Sequence, residues 1–335
     1  MTISPVEQLF TVFNETATLL QEELQCTYLE ALAETGENIF QAAILQDELS
    51  EVTKKRLMKS YESVSLDKFS KEDIRKGFQL SILKGMKENT QPNHQMTPDS
   101  IGMFIGYLVQ KFYTDKEMRL LDLAVGTGNL LTSVINQQGQ KKAEAIGVDI
   151  DDLLLQLAFI NANLQEQPIE FFNQDSLEKL FIDPVDIVIS DLPVGYYPND
   201  VGASEYELKA ETGHSYAHHL FIEQSINHLK PGGFGFFMVP NGLFESEQAP
   251  TLHAYLKEAV HIQAIMQLPL TLFKNKQAGK SILILQKKGD TIKAPKQVLL
   301  ASIPSFSNMQ AMEKILGQVD QWLQENKQQM DGTKK

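Results

Sequence analysis

Early in the chain apolar residues recur every three or four positions, whereas after residue 115 they gather into short runs. From Val6 onward Leu9, Phe10, Phe13, Ala17, Leu20 and Leu24 share one stripe, the spacing of an amphipathic helix. It returns from Ile39 to Leu49 and from Ile74 to Leu83, which predicts an all-helical domain over residues 1–91, broken at "ETGEN" and "YESVSLDKFS". The segment "ENTQPNHQMTPDS" (88–100) then collects turn formers, and its Pro98–Asp99 pair suits a helix start.

Beyond it, "MRLLDLAV", "AEAIGVDI", "PIEFFNQD", "VDIVISD" and "GFGFFMVP" have strand length, and most are separated by enough residues for a helix. Strands alternating with helices predict an α/β domain over residues 92–305 whose mostly parallel sheet is covered on both faces. "HIQAIMQLP" and "KSILILQKK" lie closer together and suit an antiparallel hairpin at the sheet edge. In the tail, 306–335, Ile315, Leu316, Val319, Trp322 and Leu323 form a helical stripe that suits packing on the domain or on a partner subunit.

Composition narrows the function classes. The single cysteine, Cys26, permits no internal disulfide, and no apolar run approaches the roughly 20 residues of a membrane span. With no signal-like start either, the sequence reads as a cytoplasmic protein. Thirty basic against 43 acidic residues give a net charge of −13, which repels polyanions at long range and argues against sequence-indifferent nucleic-acid binding. A local basic cleft is compatible with that charge, and Lys84, Lys87, Lys274 and Lys276 are its candidates.

"LLDLAVGTGNLL" reads as a strand ending at Asp122, a turn with Gly126 and Gly128, and a helix from Asn129. Glycines let backbone approach a ligand closely, and the open helix start attracts negative charge. The next strands end at Asp149 and Asp175, and "VDIVISDLPVGYYP" carries Asp191 out of a fourth. A lone strand-end Asp is more often a cap; several at one carboxyl edge, beside a Gly-rich turn, point to a ligand site.

The order of "HQMTPDS", "DLAVGTGN", "GVDI", "NQDS", "SDLPVGYY" and "LKPGGFGFFMVPNGLF" resembles the class I S-adenosylmethionine-dependent methyltransferases. It is most similar to the adenine amino-group DNA methyltransferases of the type I modification-subunit kind, from Asn93 to Lys288. The resemblance implies a Rossmann-like seven-stranded sheet and S-adenosylmethionine as cofactor. It places Thr97 and the turn of Gly126, Thr127 and Gly128 at the methionine part, Asp149 at the ribose hydroxyls and Asp175 at the adenine amino group, with Asp122, Ala124, Asn129, Ile150 and Ser176 also binding the cofactor. It also places Asp191, with the Leu192 and Pro193 backbone, at the methyl acceptor, where DNA is the implied substrate and a separate specificity subunit an implied partner of the helical domain.

The sequence departs from the family's Asn/Asp/Ser-Pro-Pro-aromatic pattern at Asp191-Leu192-Pro193-Val194. Tyr196 or Tyr197 offers a replacement stacking ring in another register. An acceptor in RNA or a protein amide stays open, as does a degenerate cofactor-binding module without catalysis. In "GHSYAHHLFIEQ" His214 and His218 have i,i+4 spacing but lack a third metal ligand, so a helix start lining the cleft is favoured and no metal is expected. Segment 198–213 suits either a lid or an ordinary surface loop.

Overall fold

The computed structural model describes residues 3–88, 96–139 and 141–332, so the expected domain boundary at 91/92 and the "HQ" of "HQMTPDS" lie outside the described residues. Four helices come first: α1 (Pro5–Leu24), α2 (Tyr28–Gln41), α3 (Glu51–Tyr61) and α4 (Lys71–Glu88). Ser4 with Glu7, and Thr27 with Glu30, form capping boxes at the starts of α1 and α2, satisfying amide groups that no helical carbonyl reaches.

"ETGEN" is not a break but lies within α2. A Cβ on Gly36 would sit 2.3 Å from Ile160 Cγ2, so this glycine is a gap for close packing and not a stop. The stripe from Ile39 does not continue as helix either, because Ala42 turns left-handed at φ 51° and ends α2. "YESVSLDKFS" does separate α3 from α4.

Helix α5 (Asp99–Phe112) starts after Pro98. Among the described residues the sheet that follows has eight strands, one more than expected: β1 (Glu117–Asp122), β2 (Lys142–Asp149), β3 (Ile169–Asn173), β4 (Val185–Asp191), β5 (Leu229–Pro240), β6 (Val260–Gln267), β7 (Lys280–Lys287) and β8 (Leu299–Ser302). Their order is β3-β2-β1-β4-β5-β7-β6-β8. β7 runs antiparallel to both β5 and β6, while β8 pairs parallel with β6. The β6–β7 hairpin is therefore present, but the four-residue β8 takes the edge. The strand order reverses between β1 and β4, which puts the crevice of an open α/β sheet between the carboxyl ends of those two strands.

Helices α6 (Asn129–Asn136), α7 (Asp152–Leu164), α8 (Asp200–Ala203), α9 (Ala217–His228), α10 (Ala249–Ala259) and α11 (Met309–Met330) are the other α-helices among the described residues. One apolar core unites sheet residues with α5, α6 and α11, and a second unites them with α9 and α10. A third core belongs to α1–α4 but includes Leu157, Ile160 and Leu164 of α7. The helical domain is thus closed by a helix of the α/β unit. Among the described residues no helix is long and apolar enough to cross a membrane.

The tail packs on its own domain. Trp322 stands 5.7 Å from the Phe112 ring, and its Nε1 donates to the Gln297 carbonyl at 2.7 Å. Trp322→Ala is expected to cost about 3–5 kcal/mol, read from chemical denaturation. A loss below about 1 kcal/mol would show that α11 is not part of the cooperative core.

Candidate functional site

A cavity of about 560 Å³ opens at the carboxyl ends of β1, β2 and β4. Asp122, Asp149, Asp175 and Asp191 all line it, as do Thr97, Ala124, Gly126, Thr127, Asn129, Ile150, Ser176, Leu192 and Pro193. Gly128 lies just beneath the lining: it caps α6 with φ 71°, and a Cβ there would press on Ala158 at 3.1 Å. The structure thus brings together the residues expected around a cofactor and the first three of the acceptor motif. Tyr196 and Tyr197 are not among the lining residues.

The turn after β1 is held by the end of β2. Gly126 N–H donates to Asp149 Oδ2 at 2.7 Å, and Val125 N–H to the Val148 carbonyl at 3.1 Å. A Cβ on Gly126 would meet nothing within 4 Å, so the face above this turn is open. Asp122 beneath it is 1% exposed and accepts from Ala124 N–H at 3.0 Å and from the Ser190 hydroxyl at 2.8 Å. Burial pushes its carboxyl up to about 7, with the charges of Asp149 and Asp191 adding to the shift and the two hydrogen bonds opposing it.

Asp175 accepts from Leu177 N–H at 2.9 Å and from the Tyr197 hydroxyl at 2.7 Å. Burial and this carboxylate push the Tyr197 phenol up, which keeps it a donor. Tyr197 therefore braces the expected adenine end of the cavity and does not present a free ring. Tyr196 is 57% exposed and stacks on Tyr216, with centroids 5.0 Å apart. Val194, at the position of the missing aromatic, lines the cavity and is exposed.

Two residues of the site have no counterpart in the sequence expectations. Lys280, the first residue of β7, forms an ion pair with Asp191 Oδ1, while Thr97 Oγ1 donates to Asp191 Oδ2 at 2.9 Å. Arg75 of α4, fully buried, donates to Asn129 Oδ1 at 2.6 Å. A cation at the inner end of an apolar strand, directly after a glycine, was the available signal for Lys280.

The expected basic cleft takes another form. Lys84 turns to Asn14, at 2.7 Å, and to the Tyr28 ring; Lys87, Lys274 and Lys276 do not line the cavity, and Lys280 is its cation among the described residues. His214 precedes α9 and faces Asp200 at 3.0 Å, so it does not pair with His218 on one helix. His218 and His219 are buried against each other, and burial pushes them down to about 3 and about 4, leaving both neutral. Among the described residues no three potential metal ligands cluster. Segment 198–213 is stapled down by buried Ala203, Tyr206 and Leu208, and Glu223 accepts from the Glu207 and Leu208 amides; no part of it lines the cavity.

Sheet order, Gly-rich turn and the row of strand-end carboxylates together define the class I methyltransferase fold. Within that class the chain belongs to the N-6 DNA methylase family, which matches residues 85–328. Residues 7–86 match the YtxK N-terminal helical domain. The uncharacterized protein YtxK of Bacillus subtilis is 53% identical over 324 residues, 96% of this chain and 98% of that protein. A Listeria monocytogenes crystal structure, provisionally assigned to the class I S-adenosylmethionine-dependent methyltransferases, is 49% identical, covers 95% of this chain and 98% of its own, and superposes with TM-score 0.89. The type I restriction-modification methyltransferase subunit of Streptococcus thermophilus shares the fold at TM-score 0.64 and 18% identity, over 96% of this chain and 75% of its own.

The raised Asp122 carboxyl makes a prediction about stability. The folded chain holds that proton more tightly than the unfolded chain, so its stabilisation is complete below the ordinary value of 3.8 and lost as pH rises through about 7. Asp122→Asn lacks this dependence, so its stability relative to wild type should rise between about pH 4.5 and pH 7.5. Thermal denaturation across that range checks it; a constant difference contradicts the buried, protonatable carboxyl.

Proposed function

We propose that this cavity binds S-adenosylmethionine and that the chain transfers its methyl group to the amino group of adenine in DNA. The observation that carries the reading is the single cavity shared by the Gly126–Gly128 turn, Asp149, Asp175 and Asp191. Its residues fit the cofactor's parts. The open face above Gly126 leaves room for the methionine moiety, and Asp149 offers carboxylate oxygens to ribose hydroxyls. Exposed Ile150, with Leu154 and Phe221, gives apolar contacts for a purine ring whose amino group Asp175 accepts.

When bound, the cofactor supplies an electrophilic methyl on a sulfonium. Asp191 and the backbone after it then hold the acceptor's N–H groups. An aromatic amine is a weak nucleophile because its lone pair is delocalised into the ring. Acceptors fixed on its N–H groups favour the pyramidal form, in which the lone pair points at the methyl. Positioning and electrostatics carry the rate, with no covalent enzyme intermediate. A base inside a duplex has to leave the stack first; exposed Tyr196, backed by Tyr216, is the nearest ring in the chain after the motif. One observation favours a second reading, a cofactor-holding module without transfer: Asp191 is already ion-paired with Lys280.

Isothermal titration of the purified protein with S-adenosylmethionine and S-adenosylhomocysteine tests the cofactor part. Binding is expected, and Asp149→Ala should weaken it by roughly tenfold or more. No binding by the folded wild-type protein would overturn the reading. Incorporation of labelled methyl into DNA, set against RNA and protein, then tests the acceptor; label in RNA or protein alone would reassign it.

A further inference from the structure

Lys280 has no task in that transfer, yet it is placed at its centre. Its side chain is 22% exposed and that of Asp191 17%, and the two form an ion pair inside the cavity. Thr97 donates to the other carboxylate oxygen. Among the described residues Lys280 is the lysine on the cavity lining, and its carboxylate partner there is Asp191. The cation has therefore been delivered specifically to the carboxylate of the acceptor motif.

The charge on that carboxylate matters to the chemistry. In methyl transfer the S–CH3 bond breaks with its electron pair going to sulfur, and the N–CH3 bond forms from the nitrogen lone pair. The positive charge passes from sulfur to nitrogen until an N–H proton leaves to solvent. It stays close to Asp191 throughout, because the methyl has to lie against the amine that Asp191 holds. A bare carboxylate attracts this charge at every stage, whereas one paired with an ammonium attracts it weakly.

We infer that Lys280 masks Asp191 and thereby sets how strongly the site distinguishes the cationic sulfonium donor from its neutral thioether product. The masked pair is the resting state, and transfer to an amine requires Lys280 to leave Asp191. The lysine is suited to this, since its flexible stem carries a point charge with three donors that readily change partners. It also directly follows Gly279, at the end of a connection whose residues 274–278 are exposed. The inference rests on the reading that the cavity holds the cofactor with its reacting methyl beside Asp191.

The test is the ratio of affinities for S-adenosylmethionine and S-adenosylhomocysteine, measured by titration calorimetry on variants whose folding is checked by circular dichroism. Lys280→Met bares the carboxylate and should shift the ratio toward the sulfonium by roughly tenfold. Asp191→Asn strands the ammonium and should shift it by a similar factor the other way. Lys280→Arg, which keeps the charge, should retain the wild-type ratio, and so should the double variant Lys280→Met/Asp191→Asn, which removes both charges. A merely structural lysine would move both affinities together; an unchanged ratio in the two single variants overturns the inference while leaving the cofactor reading intact. Failure of the folded wild-type protein to bind either ligand removes the cofactor reading and this inference with it.

Discussion

The buried guanidinium of Arg75 joins the parts of this molecule that the site requires. It bonds to Glu72 within α4, to Asp99 at the start of α5 and to Asn129 at the start of α6. A charge without solvent is tolerated only when paired and hydrogen-bonded. Its acid partners hold Arg75 protonated against the opposing effect of burial. From there the bonds continue: Asn129 Nδ2 donates to the Thr97 carbonyl at 3.3 Å, and the Thr97 hydroxyl reaches Asp191. One polar chain thus runs from the helical domain through Asn129 and Thr97 to the Asp191 carboxylate.

This arrangement changes what the helical domain is. It is structurally continuous with the α/β unit, because it shares an apolar core with α7 and supplies the cation that fixes the first residue of α6. At the other rim, Lys280 pairs with the Asp191 carboxylate. The sheet edge concentrates four carboxylates in one cavity, and the protein manages the repulsion by three different means. Asp122 is pushed up to about 7 and holds a proton more readily, Asp175 takes the Tyr197 hydroxyl, and Asp191 takes a lysine.

Much of the fold was legible in the sequence because it is local. Apolar runs of strand length fix where backbone can be buried on both faces, and Asp122, Asp149 and Asp191 stand at the strand ends where the runs stop. What escaped depends on distant contacts. Arg75 has Glu72 three residues before it, which reads as a solvated helix pair, and only the docking of α5 and α6 buries it. Gly36 looked like a helix break because its reason, Ile160, lies far along the chain. β8 is short and at the edge, so four residues carried too little pattern. Tyr197 was visible as an aromatic beside the acceptor motif, but its bond to Asp175 could not be read from spacing.

Whether the helical domain and the Gly126–Gly128 turn act as one unit is most directly tested by hydrogen–deuterium exchange of the wild-type protein with and without S-adenosylhomocysteine. Protection is predicted in the turn from Asp122 to Leu130 and, through Arg75, in α4 as well. Protection confined to the turn and the neighbouring strand ends, with α4 unchanged, would contradict it.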